Sequence, residues 1–196
     1  MAGVVYNRMK KYIFLPLMIL IAAAASFAQS KTNEAIAKQI KTLKADKNIT
    51  LSYDDASNMS KIMVHGDDFG SDQDKRRGVE ALNFGMAFFY QGKTLTAAPE
   101  TINFTFWVLN KKPKFAESHN WTVTIGSETL DLGDARYAAR KAENMEYLNF
   151  KISRENLEKI AKAADVKLKI GNAELKFTPE HLRTFANLLK ISNPVD

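Results

Sequence analysis

The sequence predicts a mainly β, α+β fold, namely an antiparallel β-sandwich of short strands with two C-terminal helices. Many short segments alternate apolar and polar residues with a period of two, and residues 101–109 do so most clearly. Turns of a few residues separate these segments, and capped helical patterns are concentrated near the C-terminus. Strands close together in the chain favour antiparallel pairing, and apolar faces need a second layer to cover them.

The first 28 residues predict a signal peptide. Arg8, Lys10 and Lys11 form a basic segment, residues 12–25 are almost entirely apolar, and Ser26-Phe27-Ala28 supplies small residues for cleavage after Ala28. The apolar run is shorter than the roughly 20 residues that a membrane-spanning helix needs. We therefore expect an exported protein, periplasmic or extracellular, with no membrane span after cleavage. The expected units are a signal peptide (1–28), an N-terminal helix or loosely ordered lead-in (29–45) and a single β-rich domain (46–196).

Composition limits the classes of function. The first 28 residues hold three of the 28 basic residues and none of the 22 acidic ones, so the remainder carries 25 basic against 22 acidic residues. So small and dispersed an excess does not predict nucleic-acid binding. The chain has no cysteine, which excludes disulfides, thiol catalysis and thiolate metal sites. Core packing alone must hold the exported domain together.

The N-terminal half reads as one helix followed by strands. A thin apolar stripe of Ile36, Ile40 and Leu43 predicts an amphipathic helix within residues 31–44, capped by Thr32 or Asn33. Strands are expected at residues 49–53, 61–65 and 101–109. Residues 79–90 are apolar without a clean period and contain Gly85, which predicts a strand with a bulge or kink.

The C-terminal half has clearer boundaries. Strands are expected at residues 121–125, 129–132, 135–140, 145–152, 166–170 and 174–177. Ser153 opens one helix, and Thr178-Pro179 opens the last. Residues 123–132 and 168–177 share one apolar pattern around an Ile-Gly turn. A duplicated unit and generic hairpin chemistry both explain this likeness. The helices are expected to close an end or cover an edge of the sandwich.

These C-terminal residues also carry a resemblance. Glu146-Tyr-Leu-Asn-Phe, the segment Ala163-Ala-Asp-Val at the end of a helix, Lys169-Ile-Gly-Asn and Phe177-Thr-Pro-Glu-His-Leu resemble the C-terminal half of exported bacterial β-sandwich domains of unknown function. The resemblance covers about a quarter of the chain and implies a sandwich in the cell envelope. It transfers no catalytic residue.

An acidic loop is the candidate metal site. Between Gly66 and Gly78 it contains four carboxylates, at Asp67, Asp68, Asp72 and Asp74. Calcium takes about six to eight oxygen ligands, and such a loop supplies several of them. The spacing does not follow the known calcium-loop pattern, and three basic residues follow directly, at positions 75–77. Calcium binding and a solvated loop are thus alternative readings, and no other cofactor is predicted.

Aromatic residues give the candidate ligand-binding site. Trp107 lies on the polar side of its strand, Trp121 begins another strand, and Tyr90 ends an aromatic run. Together they form a possible stacking surface for a sugar or a peptide. The alternative is a second packed face, because a layered sandwich can bury both sides of a sheet.

No residue is predicted to be catalytic. His65, His119 and His181 have no partner at metal-ligand spacing, and the sequence has neither a serine-hydrolase nor a phosphate-loop motif. We expect a non-catalytic binding or interaction domain of the envelope, with a protein or another envelope component as its partner. A secreted hydrolase with an unrecognised site and a calcium-stabilised envelope protein remain open as alternatives.

Overall fold

The computed structural model describes residues 30–43, 48–66, 82–109 and 113–194. Within these ranges the strands are β1 (Lys31–Thr32), β2 (Ile49–Asp54), β3 (Met59–His65), β4 (Leu82–Gln91), β5 (Thr94–Leu95), β6 (Thr101–Leu109), β7 (Asn120–Ile125), β8 (Glu128–Asp134), β9 (Arg136–Arg140), β10 (Met145–Ser153), β11 (Val166–Ile170) and β12 (Ala173–Lys176). The helices are α1 (Asn33–Thr42), α2 (Arg154–Lys162) and α3 (Pro179–Ile191). A single 3₁₀ turn spans Lys141–Glu143. The mainly β, α+β prediction is confirmed.

Six strands form the large sheet, in the order β2-β3-β4-β6-β10-β9, and every neighbouring pair is antiparallel. Period-two alternation gives the sheet an inner face and an outer face. On β6 the inner positions Ile102, Phe104, Phe106 and Val108 are all buried, as their spacing predicts. The residues between them are half-buried on the outer face.

Four strands form the small sheet, in the order β12-β11-β7-β8. The two hairpins of similar sequence are neighbours there, joined through β7 and β11, and the equivalent residues Val123 and Leu168 face each other. The two hairpins are therefore related by a local two-fold axis. Gly126 and Gly171 turn the two hairpins with φ of +59° and +52°, values that glycine adopts without strain.

Both sheets share one aromatic core. Trp121 of the small sheet packs on Phe104 and Phe150 of the large sheet, with ring centroids 5.0 and 4.6 Å apart. Phe185 of α3 also meets Phe104, at 5.7 Å. Helix α3 thus lies over the inner face of the large sheet, where its apolar side chains meet those of the sheet. It is therefore part of the second layer.

The helix starts follow the predicted caps. The side-chain oxygens of Thr32, Ser153 and Thr178 each accept the backbone N–H of the third residue of α1, α2 and α3. His181 completes the cap of α3, since its Nδ1 accepts the N–H of Thr178 at 3.2 Å. The described helices include none long and apolar enough to cross a membrane.

Candidate ligand-binding site

The structure separates the three aromatic residues that the sequence groups together. Trp121 is fully buried in the core between Phe104, Phe106 and Phe150. Its Nε1–H has no hydrogen-bond partner among the described residues. The single surface proposed for Trp107, Trp121 and Tyr90 is therefore not formed, because Trp121 lies on the inward side of its strand.

Tyr90 has a structural role. Its ring stacks on Phe88 on the inner face of the large sheet, and its hydroxyl donates to Oδ1 of Asn33 at the start of α1. The amide of Asn33 donates to Ser60 Oγ at 2.9 Å, and Ser60 in turn donates to the Gly92 carbonyl at 2.6 Å. Burial raises the pKa of the Tyr90 hydroxyl. This network fastens α1 to the sheet.

Trp107 lies on the outer face, where Gly85 makes room for it. A Cβ atom on Gly85 would stand 3.2 Å from Cζ3 of the indole and 3.2 Å from the Val64 carbonyl oxygen. Strand pairing is regular through Gly85 on both sides, so β4 has no bulge at this residue. The glycine instead allows the indole to rest on the sheet backbone. The described irregularity falls between Trp121 and Thr122, where β7 pairs with β8.

Tyr147 stands directly opposite Trp107 in the pairing of β6 with β10. The guanidinium of Arg140 lies over the Tyr147 ring, 5.3 Å from its centroid, which is cation–π geometry. In the next row of the same face, Thr105 Oγ1 donates to Asn149 Oδ1 at 2.9 Å. These five residues place two rings, an amide, a hydroxyl and a cation side by side on the outer face of the sheet.

We call this surface the aromatic face. The register of β4, β6, β10 and β9 assigns to it Asn83, Gly85, Asn103, Thr105, Trp107, Arg136, Ala138, Arg140, Tyr147, Asn149 and Lys151. No described element packs over it, and Arg136, Arg140, Asn149 and Lys151 are exposed. The sequence placed Trp107 on the polar side of its strand, but the pairing that brings Tyr147 and Arg140 beside it is visible only in the fold.

A second group of polar residues lies inside the molecule. Glu146 is buried, and its carboxylate accepts the backbone N–H groups of Lys114 and Phe115 at 2.9 to 3.0 Å and the Tyr137 hydroxyl at 3.2 Å. Burial, together with the Glu146 charge and hydrogen bond, raises the pKa of Tyr137. The ring of His119 stacks on Tyr137 at 5.7 Å. The carboxylate is occupied in holding the loop before β7, so this group has a structural role.

The outer face of the small sheet has a shallow cavity of about 540 Å³. Lys167, Lys169 and Lys176 line it, together with Glu174. Lys176 also pairs with Asp165 at 2.9 Å, and this hydrogen bond lowers the pKa of that carboxyl group. Basic and acidic groups are mixed here, as on an ordinary solvated face.

The predicted calcium ligands Asp67, Asp68, Asp72 and Asp74 lie outside the described residues, so calcium binding stays a prediction. Within residues 30–43, 48–66, 82–109 and 113–194, no three His, Asp or Glu side chains cluster as a metal-binding group. His65, His119 and His181 lie on different elements, at the end of β3, before β7 and in the first turn of α3.

A scan against protein-family models and searches of curated proteins and of solved structures find no match to this chain. A function must therefore be inferred from the geometry of the aromatic face.

Proposed function

We propose that the protein is an exported, non-catalytic binding domain and that the aromatic face is its ligand-binding surface. The observation that carries this proposal is the seating of Trp107 on Gly85, opposite Tyr147, on a face over which no element of the described residues packs. A large aromatic ring on a solvated sheet face gains less from burial than one in the core. Its place is well explained by a ligand that stacks on it.

Polar groups around the rings suit a ligand that both donates and accepts hydrogen bonds. The amide of Asn149 does both, and the Thr105 hydroxyl lies within bonding distance of it. A rigid sheet holds these groups in place, so a ligand need not order them on binding. The predicted signal peptide supports an extracytoplasmic ligand.

The test is a thermal-shift screen of the purified protein with sugars, peptides and envelope lipids, repeated on W107A. A ligand at about 100 times its Kd stabilises the native state by roughly 2.7 kcal/mol, which raises Tm by several degrees. We expect at least one such shift in the wild type and its loss in W107A.

The matched control is F89A. Phe89 is 49% exposed on the outer face of the same sheet, but it lies six residues along β4 from Asn83, the residue that pairs with Trp107, and is therefore roughly 20 Å from Trp107. F89A should keep the ligand-induced shift. A ligand that shifts W107A as much as the wild type would show that binding takes place elsewhere.

A further inference from the structure

We propose that the ligand of the aromatic face is an acidic glycan, a polysaccharide whose sugar rings stack on Trp107 and Tyr147 while its anionic groups meet Arg136, Arg140 and Lys151. This inference rests on the proposed function and adds the chemical class of the ligand.

Charge on the outer face is strongly one-sided. Arg136, Arg140 and Lys151 lie on β9 and β10, on one side of the Trp107 ring, and Lys61 lies further along the sheet. Among the described strand residues of this face the acid is Asp54, at the opposite edge on β2. Its carboxylate already accepts the Ala56 N–H at 3.0 Å and the Ser57 hydroxyl at 2.6 Å. The face is therefore complementary to an anion.

Arg140 lies where it can contact both the sugar rings and the anionic groups of such a ligand. Its guanidinium covers the Tyr147 ring, and its nearest acid is Glu143, 3.5 Å away in an ion pair whose side chains are 64% and 51% exposed. An exposed pair of this kind contributes little stability. A carboxylate or sulfate on the ligand can replace Glu143 at low cost and bind the planar guanidinium through two N–H groups.

Spacing favours a glycan over a nucleic acid. The register puts Lys151 one row from Arg136 on the neighbouring strand, and Arg140 four residues from Arg136 on β9. Neighbouring cations are thus roughly 8 to 13 Å apart, with neutral Thr, Asn and Ala side chains between them. A glycan with neutral hydroxyls between its charges fits this pattern. Single-stranded nucleic acid carries a phosphate on every nucleotide, and its binders offer a continuous cationic groove.

The experiment compares polymers that differ in charge alone. The purified protein is titrated with polygalacturonate and its methyl ester, then with dextran sulfate and dextran, and binding is followed by calorimetry at low and moderate salt. We expect an acidic polymer to bind at least about tenfold more tightly than its neutral partner, and added salt to weaken binding. R140A and W107A should each lose about tenfold in affinity, with circular dichroism confirming that both fold.

K169A is the matched control, because it removes one exposed lysine from the outer face of the small sheet and should leave affinity unchanged. Equal binding of acidic and neutral polymers would overturn the acidic-glycan inference and leave the proposed function standing. The same conclusion would follow if oligodeoxythymidylate bound more tightly than the acidic polymers, or if neither acidic polymer bound. If the acidic polymer binds W107A and R140A as tightly as the wild type, the aromatic face is not the site and the proposed function fails as well.

Discussion

Glu146 shows how a single residue can depart from the pattern of its strand. It shares the inward phase of Leu148, Phe150 and Ile152 on β10, and it is only 3% exposed. A carboxylate in that position must be hydrogen-bonded to be tolerated, and three donors from the loop and from Tyr137 meet this requirement. At this inward position the side chain makes no hydrophobic contact of the kind its neighbours make, and it instead holds the loop before β7 in place.

We predict that E146Q lowers the free energy of unfolding by about 1.5 to 3 kcal/mol. The amide keeps the shape of the side chain but removes the charge, and its NH₂ group turns a donor toward other donors. Urea denaturation measures the loss. E174Q, which makes the same change on the exposed face of β12, should alter stability by less than about 0.5 kcal/mol. Equal stability of E146Q and the wild type would show that the loop does not depend on the charge.

At the scale of the elements, Arg154 joins the two C-terminal helices. It is the first residue of α2, and its Nη1 donates to Ser192 Oγ at 2.7 Å while its Nη2 donates to the Leu189 carbonyl at 3.0 Å. Its Nε donates to Glu158 within α2 at 3.0 Å. One guanidinium thus satisfies a carbonyl at the C-terminus of α3 and links that end to α2.

We expect R154A to lower the free energy of unfolding by about 1 to 3 kcal/mol, because it removes several charge-assisted hydrogen bonds from a partly buried site. R154K should recover only part of the loss, since an ammonium cannot reach the three partners in one plane. R183A is the control: Arg183 is 55% exposed and pairs only locally with Glu180 on α3. A loss as large in R183A as in R154A would mean that any surface charge on these helices has the same effect.

Elements were predictable where their determinants are local. The caps at Ser153 and Thr178 and the turn at Gly171 depend on a few adjacent residues, and the structure confirms them. Strand β4 was harder to predict, because Ala87 and Phe89 are apolar on its outer face and hide the alternation. The aromatic face could not be predicted, because it depends on which strands pair. The burial of Trp121 could not be predicted either, because it depends on which layer covers its strand. The phase of Glu146 with Leu148 and Phe150 was a visible signal that its side chain points inward.

At the scale of the whole molecule, Phe104 joins the layers. Its ring stacks on Phe84 and Phe106 within the large sheet, meets Trp121 of the small sheet and meets Phe185 of α3. Phe106 and Phe150 of the large sheet also contact Trp121, so separating the two sheets would break several aromatic contacts at once. We therefore expect the two sheets and α3 to unfold in one cooperative transition.

The chain's two tryptophans make this expectation testable. In W107F the remaining Trp121 reports the contact between the sheets, and far-UV circular dichroism reports the strands and helices. We predict coincident urea denaturation curves from the two signals. F104L in that background should lower both midpoints together, because it leaves a cavity at the junction of the layers. A fluorescence change at lower urea than the dichroism change would show that the sheets separate before their strands unfold. The sandwich would then consist of two independently stable layers.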